Sequence, residues 1–394
     1  MSIKNFCILP FISGFVGVDN RFRLCCEFEE DVPGDNLEEI WNGEVYQKYR
    51  QDFLDDIMPS ACATCVNDEA AGIESFRQTY LKRHRDDVKH YTTTKQLVVP
   101  APLMLDIRFN NYCNLECVMC NADNSSAIST RVLNYNLKQN ISNVYKPAPD
   151  RNHSHKTTLE FLYKNIHQLQ ELVLAGGEPF LMSEVKELLE YCVEQGVAKD
   201  IILRITTNAT IFRSKWWKDF LLKFKRIDLL CSVDATGEIL EYVRFPSKWS
   251  VIEKNLLSFT RLQKENSNFN FAIEMCLHAL NLKNFPTLIH FAVDNNIMIN
   301  TSLVYHISGN SKVINYDVLD VEYRKSIIDQ IDFDKLSQTD SNINKKLLNT
   351  ITETPQRQLT YVEKRDINAL IVYWDSHKKV KFNELYPELD FLIK

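Results

Sequence analysis

Short apolar runs recur through the middle of the chain, and amphipathic stretches separate them. Leu103–Phe109, Leu169–Leu174, Asp200–Ile205, Arg226–Val233, Phe269–Leu277 and Asn300–His306 are each short and rich in apolar residues. Such runs read as buried strands. Between them, Glu184–Gln195 and Lys215–Phe224 space their apolar residues as helices do. Strands alternating with helices predict an α/β fold with a parallel sheet. Six such units predict an open, partial (β/α)6 TIM-like barrel rather than a closed eight-stranded one.

The flanks differ from this core. Residues 1–95 hold short strand-like and helical pieces, with a helix expected over Leu37–Phe53. A polar stretch, Lys82 to Lys95, leads into Val98-Val99-Pro100-Ala101-Pro102, where two prolines disfavour helix and mark a linker. The expected organisation is a small N-terminal cysteine-rich domain (1–95), the barrel (96–310) and a helical C-terminal segment (311–394). Within that last segment, Asp375-Ser376-His377-Lys378-Lys379 reads as a solvated helix end, and Tyr386-Pro387-Glu388-Leu389 as a cap against the barrel.

Composition adds little until cysteine is counted. Of 394 residues, 45% are apolar and 25% charged, as in ordinary globular proteins. A net charge of −6 weighs against a nucleic-acid partner or an anionic membrane surface. The N-terminus lacks the charged start and unbroken apolar run of a signal peptide, and no segment has the length of a membrane span. A cytoplasmic protein is expected. Eleven cysteines is a high number for that compartment, where clustered cysteines read as metal ligands before disulfides. Cys192, Cys231 and Cys276 stand among apolar neighbours and read as core residues. The same reading is preferred for His278, Tyr305 and His306 over a role in proton or hydrogen-atom transfer.

The first core strand is followed by Cys113-Asn114-Leu115-Glu116-Cys117-Val118-Met119-Cys120, a C-x3-C-x2-C spacing. Three thiolates on so short a loop can face one point. A four-iron cluster normally takes four cysteines, so three leave one iron open to a small molecule. Zinc is the competing reading, with His153 or His155 as the nearest fourth ligand.

This loop resembles the signature of the radical S-adenosylmethionine superfamily. Four further segments, each at the end of a predicted strand or just beyond one, strengthen the resemblance. Gly176-Gly177-Glu178-Pro179 is similar to that family's GGE motif, which holds the amino group of S-adenosylmethionine. Asn208 ends the third strand. Ser232 and Asp234 resemble the S-x-D segment near the ribose, and Arg244 resembles an arginine that pairs with the carboxylate of S-adenosylmethionine. Met119 stands where the family usually has an aromatic residue near the adenine. The resemblance implies a [4Fe-4S] cluster on Cys113, Cys117 and Cys120, reductive cleavage of S-adenosylmethionine to a 5′-deoxyadenosyl radical, and hydrogen-atom abstraction from a substrate.

Upstream, Cys7, Cys25, Cys62 and Cys65 flank Gly34-Asp35-Asn36-Leu37-Glu38-Glu39-Ile40-Trp41-Asn42-Gly43. This arrangement resembles the SPASM and Twitch auxiliary-cluster domains, placed here before the barrel rather than after it. It implies a second [4Fe-4S] cluster, with Cys26 a rival of Cys25 and a zinc ribbon the alternative. The implied substrate is a peptide or protein side chain, modified by oxidation or epimerisation. A sugar or alcohol dehydrogenase and a non-catalytic metal-binding protein are the alternatives. An external one-electron donor such as flavodoxin or ferredoxin is the implied partner.

Overall fold

The computed structural model describes residues 4–18, 20–34, 36–70, 74–136, 156–212, 220–303, 314–337 and 343–392. His153, His155, Tyr305, His306 and the first half of the expected Lys215–Phe224 helix lie outside these residues. Among the described residues, ten strands run in chain order: β1 Ser13–Val16, β2 Phe22–Arg23, β3 Met104–Ile107, β4 Glu116–Cys117, β5 Glu171–Leu174, β6 Ile202–Thr207, β7 Arg226–Ser232, β8 Arg244–Phe245, β9 Phe269–Leu277 and β10 Met298–Leu303. Eight form one open sheet in the order β10-β9-β7-β6-β5-β3-β1-β2. Every pairing in it is parallel except β1 with β2. The architecture is a partial, TIM-like α/β barrel.

The six expected strands are all present, but the sheet is larger than six. The added strands come from the segment expected to form a separate N-terminal domain. Ser13 of β1 lies opposite Met104 of β3, and the register continues to Val16 opposite Ile107. Residues 6–18 are all buried, so this apolar stretch is an inner strand with its lead-in. Gly14 permits the approach, because a Cβ there would stand 3.1 Å from a Leu105 methyl. The boundary drawn at residue 95 therefore does not separate two sheets.

The helix expected over Leu37–Phe53 is two helices, Leu37–Trp41 and Glu44–Leu54. Asn42 and Gly43 break it, and the break has a use. Trp41 Nε1 donates to Val99 O at 3.0 Å, while Val99 N donates to Asn42 Oδ1 at 2.9 Å. Arg50, fully buried, donates to Pro10 O, Asn42 Oδ1 and Leu97 O and stacks 4.5 Å from the Trp41 ring. A buried guanidinium is tolerated only with such partners. Together these contacts clasp the linker that leads into β3.

Strand β6 alternates half-exposed and buried residues, so one face packs on helices and the other faces the interior of the barrel. On that inner face Arg204 bridges Glu171 (3.0 Å) and Asp228 (3.5 Å). Tyr80, from the helix Phe76–Arg83, donates to Glu171 at 2.9 Å. This network occupies the inner face toward the strand starts. The C-terminal ends remain for chemistry, as in barrels generally.

Candidate active site at the strand ends

The three-cysteine loop leaves the end of β3 and is braced from several sides. Ser126 Oγ accepts from Cys113 N at 3.1 Å, and Ser125 Oγ donates to Leu115 O at 2.7 Å. Both serines open the helix Ser126–Asn136 or precede it. Glu116 and Cys117 form β4, which pairs antiparallel with β8 so that Cys117 lies opposite Arg244.

The glycine turn after β5 forms the other brace. Gly177 N donates to Asn110 O at 3.1 Å, and Glu178 N to Tyr112 O at 2.8 Å. A Cβ on Gly177 would lie 2.3 Å from Tyr112 O, and Gly176 has a φ of +115°. The two glycines thus let the backbone of the cysteine loop approach closely.

Glu178 is fully buried and accepts from Thr207 Oγ1 (2.8 Å), Asn208 N (2.7 Å) and Phe180 N (3.2 Å). Burial pushes its carboxyl up to about 7, against those three donors. The carboxylate fastens the end of β6 to the glycine turn. Pro179 opens the 3-10 turn that follows and is buried. Asn208 Nδ2 donates to Asn114 Oδ1 at 2.8 Å and stands 3.9 Å from Cys113 Sγ. Asn208 thus ties the β6 end to the cysteine loop.

Asp234 is fully buried, with Oδ1 accepting from Cys276 N at 2.8 Å and Oδ2 paired with Arg244 Nε at 2.5 Å. Arg244 Nη1 in turn donates to Cys117 Sγ at 3.8 Å. Asp234 and Arg244 therefore hold each other, and the guanidinium points at a cysteine of the loop. Ser232 ends β7 opposite Glu274 of β9, half-exposed on the inner face. Met119 is buried in the core.

The three thiols are mutually within electrostatic reach. Burial pushes all three up, Cys120 to about 12, while Arg244 pulls each of them down. Leu115 N donates to Cys113 Sγ at 3.4 Å. Buried thiols with N–H donors aimed at sulfur suit a cationic cluster, which compensates their charge. Among the described residues, no three His, Cys, Asp or Glu side chains gather as a single metal ion would need. A cavity of about 380 Å³ opens beside Cys113, between Glu116 and Arg131 and Asn134 of the adjoining helix.

At the N-terminus, Cys7, Cys62 and Cys65 lie within electrostatic reach of one another, and Cys25 within reach of Cys7 and Cys65. Glu29 N donates to Ala61 O at 3.0 Å, which holds the Cys25 segment beside the Cys62 turn. Cys26 lies beside Cys25, with other neighbours besides. Its thiol lies 3.8 Å from Glu27 Oε1 and feels Asp106 and Arg108 of the barrel.

Two residues read as solvated lie beside Glu116 and Cys117 of the three-cysteine loop. Lys378 is 3% exposed, donates to Tyr242 O at 2.7 Å and sits 4.1 Å from the Tyr242 ring. Burial pushes its ammonium down to about 7, against the pull of Cys117 and Glu116. His377 Nε2 stands 3.5 Å from Glu116 Oε2, and burial pushes its imidazole down to about 3. Trp374, one helical turn before Lys378, is the sequence signal for a buried ammonium. Tyr386 is buried against Tyr242, as expected of a cap. His278, Cys192 and Cys231 are fully buried, and Cys276 is partly buried.

No family model matches the sequence, and no curated protein matches it. Among solved structures, the chain is similar to Streptococcus suis SuiB bound to S-adenosylmethionine, at 16% identity over 85% of this chain and 72% of that one, with a TM-score of 0.43. SuiB bound to precursor peptide SuiA gives 17% identity, 83% and 67% coverage, and a TM-score of 0.43. Native anSMEcpe with bound AdoMet gives 18% identity, 65% and 68% coverage, and a TM-score of 0.39. The functional reading rests on the chain's own residues.

Proposed function

We propose that the protein is a radical S-adenosylmethionine enzyme that modifies a peptide or protein side chain. The observation that carries this reading is the Cys113-Cys117-Cys120 loop, braced at the strand ends by the glycine turn, Asn208 and Arg244. When bound, a four-iron cluster with one open iron supplies the electron that cleaves S-adenosylmethionine. The chain's own residues hold the loop in place. Gly176 and Gly177 admit its backbone, Glu178 fixes the glycine turn to β6, and Pro179 turns the chain away. In this reading Asn208, Ser232 and Met119 lie about the ligand position, while Asp234 and Arg244 hold each other beside Cys117.

In this reading residues 1–95 form an auxiliary module on Cys7, Cys25, Cys62 and Cys65. Cys25 is preferred to Cys26 because Cys25 lies within electrostatic reach of Cys7 and Cys65, whereas the Cys26 thiol feels Asp106, Glu27 and Arg108. Four cysteine ligands would leave no open iron there, which suits acceptance of the electron left on the substrate radical, while an external one-electron donor such as flavodoxin or ferredoxin would reduce the cluster on the three-cysteine loop. None of the eleven cysteines is paired in a disulfide, and a cytoplasmic setting is part of the proposal. Among the described residues no helix is long and apolar enough to cross a membrane.

The test is anaerobic reconstitution with iron and sulfide, followed by iron counting and an assay for 5′-deoxyadenosine. About eight irons per chain with 5′-deoxyadenosine formed is the expected result. Replacing Cys113, Cys117 or Cys120 by Ala abolishes the product. Undiminished cleavage in any of the three sinks the assignment.

A further inference from the structure

Arg244 is expected, by resemblance, to pair with the carboxylate of S-adenosylmethionine. The geometry points to a different role, one that rests on the cluster reading above. We propose that Arg244 is a positioning residue whose guanidinium, moored by Asp234, donates an N–H to the Cys117 thiolate and raises the reduction potential of the cluster.

Three observations carry this. The pair is internal: Asp234 is fully buried, Arg244 is 8% exposed, and Nε meets Oδ2 at 2.5 Å. The second arm of the fork is committed too, with Nη1 at 3.8 Å from Cys117 Sγ. The backbone enforces the encounter, since Arg244 lies opposite Cys117 in the β4–β8 ribbon and Val118 N donates to Val243 O at 2.9 Å beside it. A guanidinium does not lose its proton in proteins, so its charge is fixed. Hydrogen bonds to the sulfurs and nearby positive charge stabilise the more negative, reduced cluster, and so raise its potential. Asp234 opposes that effect while orienting the guanidinium, and its other oxygen is held by Cys276 N.

The two residues therefore have opposite electrostatic signs on one cluster. The experiment is an EPR-monitored redox titration of the reconstituted full chain, paired with equilibrium dialysis of S-adenosylmethionine. Arg244→Gln is expected to retain the loop's iron, to shift the midpoint to more negative potential, and to bind S-adenosylmethionine within about threefold of the parent, or well under 1.4 kcal/mol. Arg244→Lys, which keeps the charge but loses the fork, is expected to fall between. Asp234→Asn is expected to shift the midpoint the other way.

An unchanged midpoint with S-adenosylmethionine binding weakened about tenfold or more would overturn the proposal and return Arg244 to the carboxylate. Shifts of the same sign in Arg244→Gln and Asp234→Asn would also overturn it, because loss of packing has no charge sign. If Arg244→Gln does not fold, Arg244→Lys and Asp234→Asn decide alone, and equal midpoints in both count against the proposal. Absence of iron from the parent loop is a separate failure, that of the cluster reading itself.

Discussion

Cys113, Cys117 and Cys120 lie on one loop at the mouth of the barrel, whereas Cys7, Cys25, Cys62 and Cys65 come from three separate stretches of the chain. The first set meets a guanidinium and an amide: Arg244 reaches Cys117, and Asn208 reaches Cys113. The second set has Arg77 nearby, but that side chain is spent on Glu69 and on Phe6 O. Burial pushes the thiols up in both sets. The difference lies in what can offset the charge of bound thiolates. One set has a guanidinium directed at sulfur, and the other has the more distant charge of Arg77 and backbone N–H groups of Leu9, Glu27 and Arg77. A cluster that must gain an electron benefits from the first arrangement, and one that holds its ligands closed can do with the second.

The comparison breaks most sharply at the glycine turn. Gly177→Ala puts a methyl 2.3 Å from Tyr112 O, a clash with backbone that no side-chain rotation relieves. The expected outcome is loss of 5′-deoxyadenosine formation by about two orders of magnitude, the scale of a misplaced reacting group. Iron at the N-terminal set should survive. Iron counting with the cleavage assay checks both, and loss of all iron would show that the two sets are not independent.

Next in size is Cys62→Ala. About four irons should be lost, with cleavage of S-adenosylmethionine retained and turnover of the true substrate impaired. Unchanged product formation would leave the N-terminal set a structural role. Cys25→Ala and Cys26→Ala sharpen the same point. The first should lose the N-terminal iron and the second should keep it, since the Cys26 thiol faces Glu27, Asp106 and Arg108. Iron retained in Cys25→Ala would reverse the choice of ligand.

Much of the barrel was legible in the sequence because its strands are apolar and its motifs sit at strand ends. Phe269–Leu277 coincides with β9 residue for residue, and Arg226–Val233 with β7 but for one residue. The N-terminal edge was not legible. Residues 6–18 form a buried strand and its lead-in only because β3 and helices cover them, and covering partners distant in sequence leave no local periodicity. The charged run at 375–379 misled for a related reason. Lys378 is buried because Tyr242 and Trp374 supply faces for its ammonium, and Tyr242 lies far away in the chain. The partners that the site's side chains find within the protein were not legible. Glu178, Asp234 and Arg244 were expected to meet a ligand, and each is committed to protein groups.

The smallest effect concerns His278, at the end of β9, which belongs to neither cysteine set. Burial lowers its imidazole from 6.5 to about 4, and it is fully enclosed. Its Nδ1 accepts from Leu280 N at 3.2 Å, so the neutral ring is the form that fits. The sign follows from linkage. Between pH 6.5 and 4 the unfolded chain binds a proton there that the folded chain refuses, so stability falls as pH falls through that window. The slope from one such group is at most about 1.4 kcal/mol per pH unit. His278→Asn keeps an acceptor for Leu280 N and removes the titration. Urea unfolding of the iron-free chain at pH 7 and pH 5 should show a smaller acid-side loss in the variant than in the parent. An equal loss in both would mean that the acid limb belongs to other groups, and that His278 is reached by solvent before the fold opens.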